Sequence, residues 1–343
     1  MASDSKPTPR APFDDADADI IFRSSDGVLF NLYKNIVAKA SSVMRDMLTL
    51  PDDGLPQTVD LTESATTLDG LFRLFCPVER PTFSSLDDAD AVLAAAVKYD
   101  MPVAIANLCP SLRLLMVSDP LRLYAMAYKR RLEDLVRESA KLLVRDSTFH
   151  VRQNPPAEFD DIPAIALHNL TVYRVTCSKK ARALVQDRQW PLSGDHRMAV
   201  SRGGTPGNGV DISGSWVWAN TQPYAHSESC CPGSIILSYA LRDGNAAAVH
   251  AQKWWCKYIN SLADAVGRCP CGETVRSFFP TPASQKALKN AWGCPACLCH
   301  APSDVQCFNE LLAQRVDDEL DKVELKVAFA AGRAVTGTEK VGT

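Results

Sequence analysis

"ADIIFRSSDGVLFNLYKNIVAKASSVMRDML", Ala18 to Leu48, alternates at its start and turns helical at its end. Ile20 and Phe22, then Val28, Phe30 and Leu32, recur every second residue on either side of Ser24-Ser25-Asp26-Gly27. Period-two apolar residues around an Asp-Gly turn predict two short antiparallel strands. Ile36, Val37 and Ala40 then share one helical face, and Ser41-Ser42 can cap a second short helix carrying Val43, Met44, Met47 and Leu48. Such a hairpin, followed at once by two short apolar helices, contains no group suited to bond chemistry. The open question is whether it frames a catalyst or a docking surface.

Outward from this stretch the pattern stays readable for some distance. Thr58-Val59-Asp60-Leu61 reads as a third strand, and Leu68, Leu71, Phe72 and Phe75 as a helix broken by Pro77 and Pro81. Ser85-Leu86-Asp87-Asp88 has the form of a capping box, with Asp88 in the place of the usual Glu or Gln, before Ala89–Tyr99. Met101-Pro102 opens a helix through Val117. Asp119-Pro120 is a cap followed by a first-turn proline, and a helix pair continues to about Leu143. Ile162 to Val185 is a further helical region.

The character changes at Gln189. Trp190–Ser234 is rich in Gly, Pro, Ser and Trp, contains SRGGTPGNG and has no helical period, so it reads as a loop or insertion. From Ile235 the expectation is helical again, around Trp254, Trp255, Tyr258, Ile259 and Leu262. The last expected element runs from Asp304 to about Val327. Its stripe of Leu312, Val316, Leu320, Val323 and Val327 suits core packing before a coiled-coil seam.

Totals narrow the function. The chain has 343 residues, 46% of them hydrophobic, and a formal net charge of -3. That balance disfavours bulk binding to nucleic acid or anionic lipid. Residues 1–110 hold nine Lys/Arg against seventeen Asp/Glu, whereas 111–190 are basic in balance. A sharper reading than solvated helix faces is that the basic middle contacts the acidic front of the same or another copy. No run approaches the ~20 apolar residues of a membrane span, and the start lacks the apolar core of a signal peptide. The expected location is cytoplasmic or nuclear. The twelve cysteines then sit where thiols stay reduced.

Enzyme signatures are missing from the sequence. The six histidines are scattered, with no H-E-x-x-H; there is no G-x-S-x-G and no phosphate-binding G-x-x-x-x-G-K-[ST]. SRGGTPGNG neither follows a convincing strand nor precedes a helix, as a phosphate cradle requires. Asp160-Asp161 and Asp317-Asp318 read as solvated faces or caps rather than acid/base pairs. Only the cysteines offer site-like chemistry. Cys294-Pro-Ala-Cys297 has the spacing that lets two thiolates bind one tetrahedral ion. Cys269-Pro-Cys271 is one residue tighter, and 22 residues separate the pairs. Cys299, His300 and Cys307 are spare ligands, and Cys230-Cys231 is a second candidate pair. Three readings stand together: thiols with no cofactor, a structural zinc, and a redox pair.

The order of hairpin, two short helices, strand, helix, capped helix and helix resembles the BTB/POZ domain. "ADIIFRSSDGVLFNLYKNIVAKAS" is similar to the family's opening, and "SSVMRDMLTLP" to the segment after it. "LDGLFRLFCPVERPTFSSLDDADAVLAAAVKYDM" and "DPLRLYAMAYKRRLEDLVRESAKLLV" resemble the version in many basidiomycete fungal proteins, with its helical extension. The resemblance implies an α+β fold, a small sheet with a helical cluster, over residues 17–115. It implies a helical extension over 116–187, and a mostly helical region over 235–330 lies beyond it. Residues 1–16 and 331–343 are expected to be a disordered leader and tail, with the loop or insertion at 188–234.

The resemblance also implies a protein–protein interaction module without catalysis, often a homodimer, recruiting a cullin scaffold of ubiquitin ligases in some members. Asp19 matches the family's Asp before the first strand and Lys34 its basic residue after the second. In dimeric members these line a charged pocket at the interface. Tyr33 stands where the family usually has His, and Tyr cannot become cationic near neutral pH. Any apolar residue among Val43, Met44, Met47 and Leu48 left outside the core becomes a docking contact. The rival expectation is a zinc-stabilised nuclear factor. It is disfavoured because Arg268, Arg276, Lys286 and Lys289 are sparse around the cysteines.

Overall fold

The hairpin forms where the alternation places it. The computed structural model describes residues 10–48, 57–146, 154–188, 216–220, 234–240 and 246–329. Strand β1 (Ile20–Arg23) pairs antiparallel with β2 (Leu29–Leu32), Phe22 opposite Phe30. The turn closes through Gly27 N–H to Ser24 O at 3.0 Å, with Gly27 at φ +85°, a conformation glycine adopts without strain. Strand β3 (Gln57–Asp60) joins the other edge of β1 in parallel, giving the order β2-β1-β3. Helices α1 (Lys34–Ala40) and α2 (Ser42–Met47) bridge β2 toward β3.

Helices α3 (Ala65–Arg73), α4 (Leu86–Lys98), α5 (Pro102–Met116), α6 (Pro120–Lys129) and α7 (Glu133–Arg145) follow. A 3-10 turn at Ala157–Asp161 leads into α8 (Ala164–Gln186). Three starts are capped as the sequence predicts. Ser41 Oγ accepts from Met44 N–H at 2.9 Å, and Asp119 Oδ1 from Arg122 N–H at 3.2 Å. At α4, Ser85 Oγ accepts from Asp88 N–H at 3.2 Å and donates to the Asp88 carboxylate at 2.7 Å.

The chain divides into two units. The first comprises Met1–Leu142, Asn154–Ala166 and Val327–Thr343; the second comprises Leu143–Gln153 and Leu167–Lys326. The division therefore runs through α7 and α8. In the first unit Phe72 of α3 is fully buried among Phe13, Phe22, Phe30 and Phe75. Phe13 corrects the expected disordered leader for residues 10–16. It is 4% exposed, and its backbone C=O accepts from Asn31 N–H at 2.8 Å while Arg10 N–H donates to Leu29 O at 3.0 Å. One aromatic side chain and the unpaired edge of β2 hold a segment that composition alone reads as having little to bury. Residues 1–9 and the expected tail from 331 lie outside the described residues.

Glu63 links the sheet to α4. It accepts from Lys98 Nζ at 2.7 Å and from Tyr99 Oη at 2.5 Å. Burial pushes its carboxyl up, but the hydrogen bonds from Lys98 and Tyr99 outweigh it and hold the group below its ordinary 4.5. A depressed folded-state value stabilises above the unfolded value and is lost as pH falls through the folded one. Stability is thus expected to drop as pH falls from about 4.5 downward. Glu63→Gln should flatten that acid limb in thermal melts. An unchanged pH profile would contradict the assignment.

The second unit corrects an expectation. Residues from Ile235 are not helical at first: β5 (Ser234–Ala240) and β6 (Ala246–Gln252) pair antiparallel, and β4 (Ala219–Asn220) adds to β6. The Ala-rich β6 segment has no strand signature of its own, and cross-strand pairing overrides its weak propensity. Helices α9 (Lys253–Arg268), α10 (Gly272–Arg276), α11 (Pro282–Leu288) and α12 (Pro295–Asp321) complete the unit. Helix α12 starts nine residues before the expected Asp304 and ends before Val323. Pro295 sits in its first turn, where no N–H is missed, and Pro302 is accommodated inside. Leu312 and Val316 of the stripe are fully buried in the core, which supports the packing reading over a coiled-coil seam.

Candidate functional site

The expected interface residues lie at the head of the first unit. Tyr33, the N-cap of α1, provides no side-chain cap. Asp19 takes over: its Oδ1 accepts the Lys34 backbone N–H at 2.6 Å, holding one of the orphan donors of the helix start. The structure thus shows Asp19 and Lys34 meeting through a carboxylate-to-backbone cap. Tyr33 Oη lies 2.9 Å from Asp17 Oδ1 and 3.1 Å from Asp15 Oδ2. Hydrogen bonding to Asp17 above all, then burial and Asp15, pushes the phenol up to about 12, so it remains neutral. A neutral phenol donates its one proton to either carboxylate, and two acidic side chains gather round Tyr33.

Helix α2 sorts its apolar residues between core and surface. Met44 is fully buried, Val43 is 38% exposed, and Met47 and Leu48 are half-buried. Val43 and Met47 stand one turn apart on the same face. The other side is fastened: Ser41 donates to Tyr99 O, and Ser42 to Asp100. Sequence reasoning missed a second exposed apolar group, on α5. Leu114 and Val117 are 80% and 76% exposed, with Val103 farther back. The available signal was their spacing of three, masked by the apolar character of the whole helix.

The cysteines separate into two environments. Cys294, the N-cap of α12, and Cys297 are packed in the apolar core of the second unit with Ala291, Ala301 and Val305. Cys269 and Cys271 lie elsewhere in that unit, their sulfurs 4.0 Å apart; Cys269 donates to Arg145 O at 2.9 Å, and Cys271 lies 3.2 Å from Thr274 Oγ1. Among the described residues no three His, Cys, Asp or Glu side chains converge to hold a metal ion. The four cysteines expected to share a zinc therefore do not form one site. Helices α10 and α11 fill the intervening chain. Cys299 is exposed and Cys307 half-buried. Cys230 and Cys231 lie outside the described residues.

No helix among the described residues is long and apolar enough to cross a membrane. No protein-family model matches the chain, and no curated protein matches it. The described elements form an α+β arrangement, mostly helical, with small sheets.

Proposed function

We propose that the chain is a protein–protein interaction protein without catalytic activity, whose first unit is a BTB/POZ-type module that self-associates through the α1–α2 end. One observation carries the reading: the order β1-β2-α1-α2-β3-α3-α4-α5 on a sheet ordered β2-β1-β3 follows the element order that the resemblance implies. Two further features support it. The Val43–Met47 face is apolar and partly exposed beside a helix start surrounded by Asp15, Asp17 and Asp19. The acidic front of the chain also has a basic counterpart in residues 111–190. A second copy offers both the apolar face and the opposite charge.

Light scattering on the eluting full chain, at tens of micromolar, is expected to give twice the chain mass. Val43→Asp places a charge on the apolar face while Met44 keeps the core. It should weaken the dimer by about 2 kcal/mol, roughly thirtyfold in dissociation constant, with an unchanged circular dichroism spectrum. A monomeric wild-type protein at that concentration overturns self-association. The narrower form of the proposal is that the module serves as a substrate adaptor for a cullin-type ubiquitin ligase. Retention of a cullin amino-terminal domain on immobilised protein tests it, and retention no higher than on bare beads removes the adaptor role.

A further inference from the structure

Cys269 and Cys271 flank a single proline at the end of α9, and the fold turns both sulfurs toward each other. We propose that these two residues form a redox-active dithiol that closes reversibly to a disulfide when it meets hydrogen peroxide.

The geometry supplies what the chemistry needs. The sulfurs stand 4.0 Å apart, so closing them takes a side-chain rotation of modest size. Two residues of extended chain span at most about 7 Å, and a bridge requires Cα atoms within about 7 Å. Closure is therefore feasible at the upper edge of the range, where a bridge is strained and easily reduced again. A structural disulfide needs the opposite property.

The two sulfurs are also chemically different. Cys269 is half-buried and donates its S–H to the Arg145 carbonyl. Cys271 lies beside the Cys269 thiol and the Thr274 hydroxyl. The Thr274 hydroxyl can donate to Cys271, whereas Cys269 spends its S–H on the Arg145 carbonyl, so Cys271 is the sulfur placed to attack. Arg145 adds positive charge beside both. By contrast, burial pushes Cys76 up to about 12 and Cys177 to about 11, which leaves them inert as nucleophiles.

The step balances as follows. The Cys271 thiolate attacks the peroxide O–O bond; the S–O bond forms, the O–O bond breaks, and the leaving oxygen departs as water after taking up a proton. Cys269 then attacks the sulfenic sulfur. The S–S bond forms, the S–O bond breaks, and the hydroxyl leaves as water with the Cys269 proton. Two thiols are oxidised by two electrons and one peroxide is reduced to two waters. Closure also removes the S–H donor from Arg145 O, the last carbonyl of α7.

Trypsin places both cysteines in one peptide, Cys269–Arg276. The reduced full chain, exposed to hydrogen peroxide and then alkylated, should yield this peptide two hydrogens lighter and without alkyl groups. Dithiothreitol should restore the doubly alkylated form. Cys269→Ser should stop the reaction at a sulfenic acid on Cys271 that dimedone traps, and Cys271→Ser should leave Cys269 alkylatable. Exposed Cys299 serves as the internal control. A peptide that stays doubly alkylated at peroxide levels that oxidise Cys299 overturns the proposal. Oxidation of Cys269 in Cys271→Ser as fast as in the wild type overturns it as well.

Discussion

Phe72→Ala is expected to lower the stability of the first unit by about 3–5 kcal/mol, the range for removing a fully buried aromatic side chain. Few positions concentrate as many contacts. The Phe72 ring centroid is 5.4 Å from that of Phe30, 5.6 Å from Phe22, 5.8 Å from Phe13 and 6.0 Å from Phe75. It therefore touches both strands of the hairpin and the Arg10–Phe13 turn at once. Three of the four pairs are edge-to-face, the orientation that ring quadrupoles favour. Removing the ring opens a cavity whose walls belong to different elements and cannot collapse together. A loss of this size is a large part of a domain's 5–15 kcal/mol. Urea unfolding followed by far-UV circular dichroism should show an earlier transition by about 2 M. Amide exchange should accelerate across Ile20–Arg23 and Leu29–Leu32 together. Loss of protection in only one of the two strands would show that Phe72 does not join them.

Local rules made the front of the chain legible. The hairpin, the two short helices and the caps at Ser41, Ser85 and Asp119 depend on residues at most a few positions apart, so their signals are complete in the sequence. What stayed hidden depends on distant partners. Asp19 holds the first N–H of α1, Asp26 that of α3, at Ala65, and Asp317 that of α10, at Gly272. In each case the carboxylate lies at least 15 residues from the helix it caps. A sequence pattern restricted to neighbours shows three ordinary acidic residues. The Asp317 case also explains a glycine: a Cβ on Gly272 would stand 2.7 Å from the Ala313 carbonyl oxygen. The candidate site was legible to the same degree. Val43 and Met44 were named, but which one faces outward follows from the anchoring of α2 through Ser41 and Ser42, partners 58 residues away. The zinc expectation rested on spacing alone. Cysteine spacing measures reach along the chain, whereas sharing an ion requires the fold to bring both pairs together. The second sheet was unreadable because Ala246–Gln252 takes its strand conformation from pairing with β4 and β5, not from its composition.

The same dependence on distant partners makes Trp255→Ala the most consequential substitution in the second unit. Trp255 is 1% exposed and lies flat against Trp218, with centroids 3.9 Å apart and planes 4° from parallel. Its other neighbours are Tyr258, stacked at 5.8 Å, and Trp254 and Phe308, edge-on at 6.2 Å and 4.5 Å. Trp218 in turn stacks on Trp216 at 5.6 Å. The short segment Trp216–Asn220 is also held by the β4–β6 pairing, a Gln252 N–H to Trp218 O bond of 2.9 Å, a Val217 N–H to Asp304 bond of 2.6 Å, and edge-on contacts of Trp216 and Trp218 with Phe308 at 6.3 Å and 6.1 Å. Alanine at 255 removes about 3–5 kcal/mol of burial and packing and leaves one face of Trp218 uncovered. Two signals should change together. Near-UV circular dichroism should lose the coupled indole band, and acrylamide should gain access to tryptophan emission. Trp255→Phe keeps a flat ring against Trp218 and should recover most of both. If Trp255→Ala leaves the near-UV spectrum and quenching unchanged, the indole stack is not what fixes Trp216–Asn220.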